Sequence, residues 1–151
     1  THPSLLPHNR GKHPNFWALV EQCPFGVSLH LVEEGIDCGC IVAQKEIGYT
    51  WDDTGETLYH KAIAEIKQLF IETYPDLRRL TFTSKAQDLS KGSIHFSSEL
   101  EVASRIALDE PTTPRRLMNL LRARTYEGHP ACSFYVDDVE YEVRIAITRK
   151  E

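Results

Sequence analysis

No run of about 18 consecutive apolar residues, the length of a membrane-spanning helix, occurs in this chain. No charged-then-apolar signal segment opens it either, which sets the expectation of a cytoplasmic protein. A surplus of positive charge is also missing. Lys and Arg number 17 against 22 Asp and Glu, for a net charge of −5. That balance argues against a dedicated nucleic-acid binder, which would carry a basic face. The four cysteines lack the spacing and the second matching pair of a zinc site. Cys38 and Cys40 form only a C-x-C pair, so no metal is expected and the thiols read as small, semi-buried side chains. Internal repeats and low-complexity tracts are absent. What is present, 41% hydrophobic and 26% charged residues, suits one globular domain or one domain with a small appendage.

Pro3, Pro7, Gly11 and Pro14 punctuate the opening as an irregular loop. Asn15 to Glu21 reads as a short helix that Pro24 and Gly26 end. Val27 to Val32 is β-branched and apolar enough for a buried strand, and Ile41 to Ile47 gives another. Asp53 and Glu56 suggest a capping box at the start of a long amphipathic helix. Leu58, Ala62, Ile66, Leu69 and Phe70 form its apolar face, and Pro75 is expected to close it. Thr81 to Leu108 carries no decisive pattern. A second helix is expected from Thr113-Pro114, with Leu117, Leu120 and Leu121 as its stripe and Gly128 and Pro130 beyond its end. Period-two residues from Phe134 to Ile147, on both sides of Asp137-Asp138, read as a β-hairpin. A boundary near residue 80 separates a first unit, 1–80, from a helix-plus-hairpin unit, 81–151.

The chemistry-bearing candidates are His2 and Asp37. An imidazole titrates near neutral pH, and a carboxylate beside it favours its charged form. They stand far apart in sequence, so only the fold can unite them. On residue type alone, a surface histidine and a turn-forming aspartate remain open readings.

The ordered segments His2-Pro3-Ser4-Leu5-Leu6-Pro7 with Arg10-Gly11, Gly26-Val27-Ser28-Leu29-His30, and Gly35-Ile36-Asp37 with Gly39, Ile41, Ala43 and Gln44 resemble the folate-dependent formyltransferases. The resemblance is strongest over residues 1 to 47. It implies an α/β fold: the C-terminal half of a Rossmann-like formyltransferase domain, followed by a small helix-plus-β-hairpin extension. It implies His2 and Asp37 as two members of an Asn–His–Asp triad. The asparagine would stand two positions before His2, upstream of Thr1, so the chain is expected to be part of a longer enzyme. N10-formyltetrahydrofolate is the implied co-substrate, with the backbone of Glu33, Glu34, Gly35 and Ile36 approaching its pterin ring.

The run from Pro7 to Trp17, the Asp53-Thr54-Gly55 helix start and the short extension are most similar to enzymes that formylate nucleotide-linked amino sugars. That branch implies Asn9, Arg10 and Lys12 as contacts to sugar or diphosphate, and a place in lipopolysaccharide or O-antigen biosynthesis. Arg and Lys suit phosphate oxygens, although an internal role for Arg10 and a solvated Lys12 stay open. Trp17 reads as core or rim packing and the other histidines, His30 among them, as structural or exposed. The hairpin suggests a homodimer contact. Two alternatives stand beside this reading: methionyl-tRNA or another amine as acceptor, and an inactive fragment serving as scaffold.

Overall fold

The computed structural model describes residues 1–150. Its centre is an antiparallel pair of strands, β2 (Gly26–His30) and β3 (Ile41–Glu46), in register from Gly26 opposite Glu46 to Leu29 opposite Ala43. Register slips between Leu29 and His30, where His30 faces Ile41. His2 pairs with Ser28 on the outer edge of β2, and Lys85 pairs with Ile41 on the outer edge of β3. Both bring loop segments to the sheet. A two-residue strand, β1 (Arg10–Gly11), runs parallel to β4 (Ile94–His95).

Helix α1 (Pro14–Glu21) has Pro14 in its first turn, where the missing N–H removes no helical bond. Helix α2 (Gly55–Arg79) lies across the sheet. Two later helices follow, α3 (Glu99–Ala103) and α4 (Pro114–Arg124), and then a hairpin of β5 (Cys132–Val136) and β6 (Val139–Val143). Phe25, Val27, Leu19 and Leu58 are fully buried where β2, α1 and α2 meet. Each such side chain contributes about 1.5–3 kcal/mol of transfer free energy. Leu100 and Ala123 belong to the same apolar cluster, so the later helices share its core.

Three local expectations change. The helix cap lies one residue later than Asp53. Thr54 accepts from the Thr57 amide at 3.3 Å, and the Thr57 hydroxyl accepts from the Thr54 amide at 2.9 Å. Asp53 cannot serve as the cap because its carboxylate already accepts from the Thr50 amide, the Thr57 hydroxyl and Lys61. Helix α2 also runs through Pro75 to Arg79. The carbonyl that Pro75 leaves without an amide belongs to Ile71, which is 65% exposed, so the lost bond falls on the solvent side of the helix. The hairpin stops at Val143 rather than Ile147. Its turn residues Asp137 and Asp138 have φ of 48° and 63°, the left-handed pair of a type I′ turn.

The candidate active site

The first seven residues reach the sheet as a knot tied at Ser28. The buried Ser28 hydroxyl donates to the Ser4 carbonyl at 2.7 Å and accepts from the Leu6 amide at 3.1 Å. Gln44 on β3 donates to the Leu6 carbonyl and to the Ser28 hydroxyl, both at 2.8 Å. His2 exchanges two backbone hydrogen bonds with Ser28, each 2.9 Å. Residues opposite each other, and residues two apart on a strand, share a face. His2 and His30 therefore approach one patch beyond the end of β2.

Asp37 returns to that patch from the β2–β3 connection. Its Oδ2 lies 3.5 Å from His2 Nδ1, and its Oδ1 lies 3.6 Å from His30 Nε2. The Gly11 amide donates to Oδ2 at 2.9 Å. The backbone also fixes both imidazoles. A carbonyl only accepts, so His2 Nε2 carries its proton toward Asn9 O at 3.0 Å and His30 Nδ1 toward Leu31 O at 2.9 Å. In their neutral forms both rings therefore turn a bare nitrogen toward Asp37. A proton captured by His2 Nδ1 lies against the one carboxylate that stands between the two imidazoles. Burial lowers the His2 pKa as the largest effect, while the Asn9 carbonyl and the Asp37 carboxylate oppose that shift. A neutral imidazole can thus take a proton from an incoming group and hold it against the carboxylate.

The loop Glu33–Ile36 is open to solvent. Gly35 has φ of +109°, which L side chains rarely adopt. Glu33 closes the loop by accepting from the Cys40 amide at 3.0 Å, and this bond lowers its carboxyl pKa. A Cβ on Gly39 would stand 1.9 Å from the Leu31 carbonyl oxygen, so the return from Asp37 passes hard against the strand.

The residues expected to face a substrate divide. Arg10 and Lys12 flank the Gly11 amide that holds Asp37; Arg10 is half-buried and Lys12 exposed. Arg10 Nε is buried and has no hydrogen-bond partner among the described residues. The Asn9 side chain is 1% exposed and bonds internally to Ser93, so its amide pins the loop and only its carbonyl serves the site, through His2. Trp17 stacks on His95 at 3.8 Å and is core packing. His30 is the residue that sequence reasoning missed. Its signals were its place at the end of the Gly26–His30 motif and alternation: it stands two positions after the strand residue opposite His2. Arg122 on α4 is 4% exposed and bonds Asn119, Thr50 O and Asp53 O. Among the described residues no group of three or more His, Cys, Asp or Glu could hold a metal ion.

Two family models match this architecture. The formyl transferase model covers residues 1–74, and the N-formyltransferase dimerization C-terminal domain covers residues 99–149. The chain belongs to the formyltransferase family. Over 127 residues it is 28% identical to dTDP-4-amino-4,6-dideoxyglucose formyltransferase of Mycobacterium bovis, covering 83% of this chain and 53% of that one. It is 35% identical over 138 residues to methionyl-tRNA formyltransferase of Thermodesulfovibrio yellowstonii, covering 91% and 43%. The chain thus spans about half the length of the curated relatives it matches. Among solved structures, a sugar N-formyltransferase from a Shewanella species superposes with a TM-score of 0.91 at 27% identity, over 99% of this chain and 61% of that one. The formyltransferase PseJ from Anoxybacillus kamchatkensis, solved with UDP-4,6-dideoxy-4-formamido-L-AltNAc and tetrahydrofolate, superposes with a TM-score of 0.64 at 36% identity, over 67% and 53%.

Proposed function

We propose that the chain carries the His–Asp part of a sugar-nucleotide N-formyltransferase. N10-formyltetrahydrofolate supplies the one-carbon unit, and the amine of a nucleotide-linked amino sugar accepts it. The carrying observation is the Asp37 carboxylate held between two oriented imidazoles in a chain of this family. During transfer the amine nitrogen bonds to the formyl carbon, the carbon–N10 bond breaks, and one proton passes from the amine to N10. His2 is the group to take that proton, because its Nδ1 is bare, buried and backed by Asp37. The exposed Glu33–Ile36 loop, opened by Gly35, leaves backbone available to a flat heterocycle. Arg10 and Lys12, on either side of the Gly11 amide that holds Asp37, are the groups assigned to the diphosphate, and the unpartnered Arg10 Nε supports that role.

In this reading residues 1–80 belong to the catalytic domain and 81–151 form a dimerising extension. The enzyme is cytoplasmic, and its product serves lipopolysaccharide or O-antigen assembly. The methionyl-tRNA alternative draws on the 35% identity to one such relative; the net charge of −5 disfavours it. The test is formyl transfer by the protein of the complete reading frame, offered dTDP- and UDP-linked amino sugars in parallel with charged tRNA. Turnover with tRNA alone would install the alternative. Turnover with no amine would leave the scaffold reading.

A further inference from the structure

The two loops that form the site are held from one place, and that place lies between the two matched family stretches. Residues 85–95 fall after the first match, 1–74, and before the second, 99–149. The Gln87 side-chain amide donates to Asp37 O at 2.9 Å and to Gly39 O at 2.7 Å, gripping the aspartate loop. Lys85 exchanges two backbone bonds with Ile41, where that loop re-enters the sheet. Ser93 grips the other loop. Its hydroxyl accepts from the Asn9 amide at 3.2 Å, its carbonyl accepts from the Arg10 amide at 3.0 Å, and His95 O accepts from the Lys12 amide at 3.0 Å. Contact is close enough that a Cβ on Gly92 would lie 2.0 Å from Pro7 O, and one on Gly11 would lie 2.2 Å from His95 O.

The grip falls on the residues whose other atoms build the site, or on their neighbours in the chain. Asn9 supplies the carbonyl that orients His2, and Gly11 supplies the amide that holds Asp37 Oδ2. The segment itself is anchored: the His95 ring stacks on Trp17, with Nε2 2.9 Å from Glu21 Oε1. Glu21 Oε2 also accepts from the Ser93 hydroxyl at 3.0 Å.

We infer that Gln87 and Ser93 are positioning residues, which set the His2–Asp37 geometry through the Asp37 and Asn9 backbones without touching the reacting atoms. The segment acts as a clasp with one hand on each loop. It transmits no charge to the site; it fixes where two backbone groups stand.

The experiment uses the protein of the complete reading frame and reads two things. Kinetics gives kcat and KM for Gln87→Ala, Ser93→Ala and the hydroxyl-retaining Ser93→Thr. Each alanine variant is expected to lose about ten- to a hundredfold in kcat, since misplacement by an ångström has that scale. KM for both substrates should stay within about twofold, because every variant keeps the Ser93 carbonyl that holds the Arg10 amide. Ser93→Thr should recover most of the lost turnover. The second readout is the His2 Nε2–H proton by NMR, which should exchange faster with water in Ser93→Ala than in the parent. The kinetic arm rests on the formyl-transfer reading and the NMR arm does not, so an inactive parent protein removes that reading while the clasp is still judged. Unchanged kcat, or kcat and KM shifting together, overturns the inference when the His2 proton is also unaltered. Should Ser93→Ala fail to fold, Glu21→Ala loosens the same hydroxyl from the exposed side, and normal His2 exchange there counts against the clasp.

Discussion

At the residue scale, the acid–base group we propose is a histidine that burial drives toward its neutral form. Asp37→Asn should lower kcat about a hundredfold or more while moving the melting temperature little, because the Gly11 amide can still bond the amide oxygen. Steady-state kinetics beside a thermal melt checks both halves. His2 also carries a pH signature. Its folded pKa lies below the unfolded value of about 6.5, so the unfolded chain binds the proton more readily. The associated stability is fully present above about pH 6.5 and is lost as pH falls toward the folded value. Melting temperatures taken between pH 7.5 and 5 should fall with acid in the parent and fall less steeply in His2→Gln. His13, also lowered by burial, keeps part of the slope. Identical slopes would show that His2 titrates alike in both states. His2 and Asp37 were legible because their flanking motifs come in a fixed order. His30 ends one of those motifs, yet it was read as structural or exposed, since a histidine on a strand has the same local pattern whether it faces a site or a core. Asn9 was misread because its polarity suggests a ligand, whereas its neighbour across the loop, Ser93, is far away in sequence.

At the element scale, the long helix and the hairpin were readable because each repeats its period many times. The strands β1 and β4 were not, because two residues hold no period and their pairing depends on distant partners. The helix cap slipped by one position because Asp53 and Thr54 are both good caps, and only the tertiary partners Thr50 and Lys61 decide between them. Thr54→Ala should cost about 1 kcal/mol of folding stability, read by urea denaturation. The hairpin gives the opposite sign. Asp138 sits at φ 63°, where glycine carries no Cβ penalty, so Asp138→Gly should stabilise the fold by about 0.5–1 kcal/mol. A lower urea midpoint in that variant would show that the Asp138 side chain contributes more than its backbone costs.

At the scale of the whole molecule, the division near residue 80 separates sequence patterns more sharply than it separates the core. Arg122 on α4 reaches back to the carbonyls of Thr50 and Asp53 and lies over the Trp51 ring at 4.6 Å. Burial lowers its pKa, and the two carbonyls with Asn119 are what make the buried cation tolerable. Arg122→Ala should destabilise by about 2–4 kcal/mol, since it leaves buried acceptors without a donor. Arg122→Lys should recover little, because an ammonium cannot span the same fork. Denaturation followed by far-ultraviolet circular dichroism and by fluorescence should give coincident curves in the parent, reporting one cooperative unit. The tryptophan inventory makes the second probe unusually local. The chain has only two indoles, and Trp17 lies flat on His95 with an interplanar angle of 8°. With Trp51 replaced by phenylalanine and excitation at wavelengths that tyrosine does not absorb, the remaining emission would come from a ring pressed against the tip of the 85–95 segment. The protein then carries its own lamp at that contact, and any slackening there would be seen as a change of colour or brightness without an added dye.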